Sequence, residues 1–148
     1  MEVAAEYDGW VKILLSFPFL ILFTIYLLIN LGIIEDDSYA LIPAILLLLF
    51  VYWLILPRKY CIRGENLEIV MGFTYKIKLS EIEDLERGDF RKTFLFKGLR
   101  FATSRNLIVI KRKKGFSITI SPKNIDAFYE HLKKSIQNYE KGIAKEGF

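Results

Sequence analysis

Apolar and polar positions alternate differently in the two parts of this chain. From Ile13 to Ile34 no residue carries a charge, and a second uncharged stretch runs from Tyr39 to Leu56. Ser16, Pro18, Thr24, Asn30 and Gly32 interrupt the first; from Ala44 onward the second is apolar but for the phenol of Tyr52. At ~1.5 Å per residue these stretches make helices of roughly 33 and 27 Å, against a hydrocarbon core of ~30 Å. The pattern predicts two membrane-spanning helices, about 10–34 and 39–56, within an anchor covering residues 1–57. Between them Glu35-Asp36-Asp37-Ser38 reads as the turn of a helical hairpin, and Pro57 stops the second helix. Tyr7, Trp10, Tyr39, Tyr52 and Trp53 fall near the predicted interfaces. A cleaved signal peptide would need a basic start, whereas Glu2, Glu6 and Asp8 stand there. The competing arrangement is a single span, in which the first run, holding Pro18 and Asn30, is the weaker candidate.

Past Pro57 the period shortens. Tyr60-Cys61-Ile62, then Leu67, Ile69 and Met71, then Tyr75, Ile77 and Leu79 read as short strands, with Gly64-Glu65-Asn66 and Gly72 as breaks. Ile82 and Leu85 lie three apart among acids, a spacing that suits a helical turn or a bulged strand and is read as strand. Arg87-Gly88-Asp89 reads as a turn, and Thr93–Thr103 as one bent strand or a hairpin around Gly98. Leu107–Ile110 and Phe116–Ile120 form a hairpin with Lys111–Gly115 as its basic tip. Ser121-Pro122 supplies an N-cap and first residue for a last helix, whose stripe Ile125, Phe128, Leu132 and Ile136 is apolar. About seven strands and one capping helix result, an α+β domain over residues 58–148.

Charge follows the same division. Residues 57–148 hold 20 of the 21 Lys and Arg and 11 of the 17 acids, a net of +9, whereas residues 1–56 carry −5. Basic residues stay on the cytoplasmic side of a membrane, so the domain is expected in the cytoplasm and the acidic turn outside. The 148 residues fit one modest domain with an appendage. A secreted soluble protein is excluded unless the anchor is cleaved.

Candidate chemistry is sparse. His131 reads as a solvated helix residue, and Cys61, the only cysteine, as a buried strand residue in a reducing compartment. No spacing suits zinc, no glycine loop cradles phosphate, and Glu81–Asp89 lacks the order of a calcium loop. No enzyme activity, metal or cofactor is expected. Phe90, Phe94, Phe96, Phe101 and Phe116 are assigned to the core, so nucleic acid is not an expected partner. The informative feature is basic. Arg58 and Lys59 follow the second run, Lys111, Arg112, Lys113 and Lys114 form the hairpin tip, and Arg91, Lys92, Lys97, Arg100 and Arg105 lie between. Near anionic lipid each contributes ~1 kcal/mol, so these groups are candidates for membrane-surface or partner contact.

Thr103-Ser104-Arg105-Asn106-Leu107-Ile108-Val109-Ile110, then the glycine hairpin, then Ile120-Ser121-Pro122-Lys123 leading to Phe128 and Leu132, resembles the end of bacterial pleckstrin-homology (PH) domain membrane proteins. The resemblance covers most of residues 59–138. It implies a PH-like, seven-stranded, partly open β-barrel plugged by the C-terminal α-helix, behind an N-terminal transmembrane helical hairpin. Size and order are similar to the sublancin immunity (SunI-like) family, whose members protect a producer from its own bacteriocin. That likeness implies a cell-membrane protein touching the toxin or its membrane target; the alternative is a general membrane-anchored adaptor. The immunity family is described with one membrane segment, against two runs here. It supplies no binding motif, so no site residue is carried across.

Overall fold

The computed structural model describes residues 1–35, 38–89 and 98–146, and its contacts divide the chain into two units. Gly9–Ile55 is helical, while Met1–Asp8 and Leu56–Phe148 together form the β unit.

In the helical unit α1 spans Gly9–Asn30 and α2 spans Leu41–Ile55, preceded by a 3-10 turn at Ser38–Ala40. Both are shorter than the sequence predicts. α1 ends because Gly32 sits at φ 69°, where the Gly32 amide donates to the Ile29 carbonyl and the Ile33 amide to Leu28. That paired closure satisfies the last helical carbonyls. The acidic turn lies partly outside the described residues at positions 36 and 37. α1 is long and apolar enough to cross a membrane, and α2 is a shorter apolar helix. The polar side chains of α1 cost little in an apolar medium, because each bonds its own backbone. Ser16 donates to Ile13 O, Thr24 to Leu20 O and the Asn30 amide to Tyr26 O. The two helices meet where the Tyr52 hydroxyl donates to Leu15 O at 2.8 Å and its ring lies edge-on to Phe19. Only Val11 of α1 and no residue of α2 is buried.

The described β unit has eight strands in two four-stranded sheets, where the sequence predicts seven. β1 (Glu2–Ala4), β2 (Lys59–Arg63), β3 (Asn66–Val70) and β4 (Thr74–Lys78) form one antiparallel sheet in that order. β5 (Ile82–Asp89), β7 (Asn106–Arg112), β8 (Ser117–Ile120) and β6 (Gly98–Phe101) form the other, with β6 parallel to β8. β1 is the strand the sequence does not announce; Met1–Asp8, predicted with the anchor, pairs instead with β2 through Glu2↔Cys61 and Ala4↔Lys59. The acidic segment is a strand as expected, and its spacing of three has a cause. A bulge between Ile82 and Asp84 puts one extra residue on β5, so Ile82 and Leu85 both face inward while Glu83, Asp84 and Glu86 are exposed. Arg87-Gly88-Asp89 is no turn; it continues β5 against Ile108, Leu107 and Asn106. Of the predicted 93–103 element only β6 and its sequel are seen, since residues 90–97 lie outside the described residues.

The last helix, α3, spans Ile125–Glu146, starting three residues later than predicted. Ser121 is fully buried, and its hydroxyl accepts the Thr103 amide at 2.8 Å, so it is not available as a cap. Asn124, at φ 59°, makes the turn into the helix instead. Phe128 and Leu132 of α3 are fully buried among Tyr60, Leu67, Ile69, Ile77, Ile110 and Ile120, which is the stripe the periodicity predicts.

Candidate functional site

The β unit has two ends, and the candidate residues divide between them. At one end the chain enters and leaves. Ala5 N–H donates to Arg58 O at 2.9 Å, and the Tyr7 hydroxyl donates to Pro57 O, so the segment preceding α1 runs beside the segment following α2. Glu6 N–H donates to Ser121 O, Lys123 N–H to Ala4 O and Asp8 N–H to Thr103 O, stitching this strap to the second sheet. The Asp8 carboxylate accepts from Ser104 Oγ at 3.0 Å and from Arg105 N–H at 2.7 Å. Beneath the strap Thr103, Ser104 and Ser121 are buried polar groups, and the Tyr60 hydroxyl donates to Phe101 O while accepting from Ser121 N–H at 3.3 Å. Burial pushes the Tyr60 phenol up to about 12, so it stays neutral and a donor. Arg58 and Lys59 belong to this end. The Lys59 ammonium bonds Glu2 at 2.7 Å, which holds its pKa above the usual lysine range and that of Glu2 below the carboxylate range. The β3–β4 turn lies here too, with Phe73 half exposed at its tip.

The other end gathers three loops. Leu79 N–H donates to Glu65 O at 2.8 Å and Lys113 N–H to Glu81 O at 2.9 Å, joining the β2–β3 turn, the β4–β5 connection and the β7–β8 tip. β7 runs from Asn106, next to the strap, to Arg112 in this cluster; its six steps of ~3.3 Å separate the ends by ~20 Å. Lys111, Arg112, Lys113 and Lys114 are therefore not brought together with Arg58 and Lys59. They are also not equivalent. Lys111 is tied to Glu86 at 2.5 Å, a hydrogen bond that raises its pKa. The Arg112 guanidinium is held by Glu81 Oε2 at 2.8 Å and the Tyr75 hydroxyl at 3.3 Å. Lys113 and Lys114 are exposed, with no carboxylate partner among the described residues. Gly115, at φ 95°, turns the tip and presents Phe116, which is 65% exposed. That aromatic is not the core residue the sequence predicts. A cavity of about 270 Å³ at this end is lined by Ser80, Glu81, Arg112, Lys113 and Lys114. Arg91, Lys92, Lys97, Phe90, Phe94 and Phe96 lie outside the described residues.

Cys61 is 1% exposed, and burial, before the nearby Glu2 charge, pushes its thiol up, away from the reactive thiolate. His131 is exposed on α3, and among the described residues no His, Cys, Asp and Glu group suits a metal ion.

Comparison of the sequence with protein families matches the bacterial PH domain over residues 58–136, more than half of the chain. The chain belongs to the bacterial PH domain family. The match begins at Arg58, so β1 and the strap through Asp8 are additions outside the matched PH domain. Comparisons with curated proteins and with solved structures give no match. Two sheets and a C-terminal helix thus make up the β unit that contains the PH domain.

Proposed function

We propose that this protein is a membrane-anchored, non-catalytic PH-domain binding module, held in the cell membrane by α1 and α2 with the PH domain in the cytoplasm. One observation carries the reading. Because β1 pairs with β2, Met1–Asp8 and everything after Leu56 lie on one side of any bilayer. A single crossing would separate them, so Gly9–Ile55 crosses twice or not at all. Large exposed side chains such as Leu14, Phe17, Leu20, Phe23, Leu46 and Phe50 argue against a helical pair left in water. With its 3-10 turn, α2 reaches ~28 Å, enough for a thin or locally adapted bilayer. The excess of Lys and Arg after Pro57 supports the cytoplasmic side. Arg58, exposed beside the chain connections, is the group offered to anionic headgroups, whereas Lys59 is paired with Glu2.

The finer form of this reading is self-immunity toward a bacteriocin, by contact with the toxin or its membrane target. It is favoured by the likeness of size and anchor-first order to the sublancin immunity family. Two experiments separate the levels. Cysteines placed at Glu35, Ala4 and Lys114 should react with an impermeant maleimide on intact cells at Glu35 alone, and at the other two only after lysis. Labelling of Ala4 and Lys114 from opposite sides would end the two-crossing reading. Deleting the gene in a producing strain should sensitise it to its own peptide; unchanged survival would leave only the general adaptor.

A further inference from the structure

We infer that the turn end of the α1–α2 pair, with Leu31, Ile33 and Glu35 beside an apolar groove, is a docking surface for a cationic amphipathic segment of another polypeptide. Only the side of approach rests on the anchored reading: a pair that crosses twice turns on the face opposite to both its ends. α1 and α2 touch near those ends, where Tyr52 meets Leu15 and Phe19. Toward the turn they leave a groove of about 570 Å³, lined by Phe23 and Tyr26 of α1 and by Leu41, Ile42 and Ile45 of α2. Tyr26 lies one helical turn before the end of α1 and Leu41 begins α2, so the groove reaches the turn. There the apolar surface continues on residues that are no longer helical. Leu31 and Ile33 are 71% and 67% exposed, and their amides already donate to the Leu27 and Leu28 carbonyls. The turn thus offers apolar side chains on amides that need no further partner. Charge selects the occupant. Glu35 is exposed, Asp36 and Asp37 follow it in the sequence, and no Lys, Arg or His occurs from Ile13 to Pro57. Lys12, the base nearest in sequence, stands ~27 Å along α1 from its far end. A second copy of the pair would bring the same acids to this end, and a phospholipid would bring a phosphate; like charge opposes both. A segment carrying apolar side chains together with Lys or Arg meets the groove and the acids at once.

The test uses the full-length protein in phosphatidylcholine nanodiscs and a fluorescein-labelled peptide of leucines and lysines, its fluorescence anisotropy read against empty discs. Binding above the empty-disc level should appear and should weaken with salt. The same peptide with glutamates in place of its lysines should not bind. Glu35→Lys should weaken binding by about threefold or more, and Ile42→Trp, which fills the groove with another apolar side chain, by about fivefold. Both positions are exposed, and circular dichroism checks that the variants keep their helices. Affinity unchanged in both variants would overturn the inference, because it would leave the peptide on lipid or elsewhere on the protein. Equal binding of the two peptides would overturn it as well. So would efficient disulfide formation between copies carrying Ile42→Cys, which would mean that a second copy fills the groove. The side of approach fails separately: nanodiscs expose both faces, so reaction of Glu35→Cys with impermeant maleimide only after cell lysis would end the anchored reading without altering the anisotropy.

Discussion

Tyr60 shows how one side chain joins parts of the fold that are distant in sequence. Its ring packs edge-on against Phe128 in the core, while its hydroxyl serves Phe101 and Ser121. Its pKa, near 10 when solvated, is raised to about 12 by burial. A raised folded-state value means that the group's contribution is complete below pH 10 and is lost as pH climbs toward about 12. Alkaline unfolding followed by circular dichroism should therefore steepen across that window. Tyr60→Phe should remove that steepening and cost about 1–3 kcal/mol, because the buried Ser121 N–H and the part-buried Phe101 carbonyl lose a partner. Gly98 is a second such position. A Cβ built there would lie 2.4 Å from the Ser117 carbonyl oxygen, across the parallel β6–β8 pairing. Gly98→Ala should lower stability by about 1–3 kcal/mol in thermal denaturation, since backbone must move to admit it. Tyr60 as a strand hydrophobe is legible from its neighbours in the sequence; the partners of its hydroxyl are not, because they come from segments tens of residues away.

Among the elements, those with a strong local period are the ones the sequence predicts well. The stripe of α3 buries Phe128 and Leu132 as its spacing requires, and Phe128→Ala should cost about 3–5 kcal/mol through the cavity it leaves, measurable by chemical denaturation. The acidic strand is read correctly as a strand, and its bulge accounts for a spacing that alternation alone does not produce. Local signals fail where a tertiary demand takes over. Ser121-Pro122 has the chemistry of a helix start, but the hydroxyl is spent on Thr103 in the polar layer beneath the strap. β1 has three residues with one apolar side chain, Val3, facing the core cluster. Nothing so short carries a period, and its partner strand is separated from it by two helices.

For the molecule as a whole, the separation of a greasy leading part from a basic remainder is plain in the sequence, and so is the PH-like character of the end of the chain. The distribution of the basic groups is not legible, because it depends on which end of β2 and β7 each loop occupies. That is a property of sheet register, and six candidate residues close in charge and type turn out to serve two ends and several ion pairs. The strap allows a further measurement. A fragment beginning at Leu56 would expose the edge of β2 and free the carbonyls of Ser121 and Thr103 that accept from Glu6 and Asp8. Its melting temperature should lie below that of the same fragment supplied with a synthetic peptide of residues 1–8, and an identical melting curve would mean that the strap contributes no stability. The strap also imposes an order on biosynthesis. Glu2 leaves the ribosome long before its partner Cys61, with both greasy helices made in between. Closing so long a loop costs entropy that the finished sheet has to offset. β1 can pair only once β2 has been made, so the two helices precede the closing of this clasp.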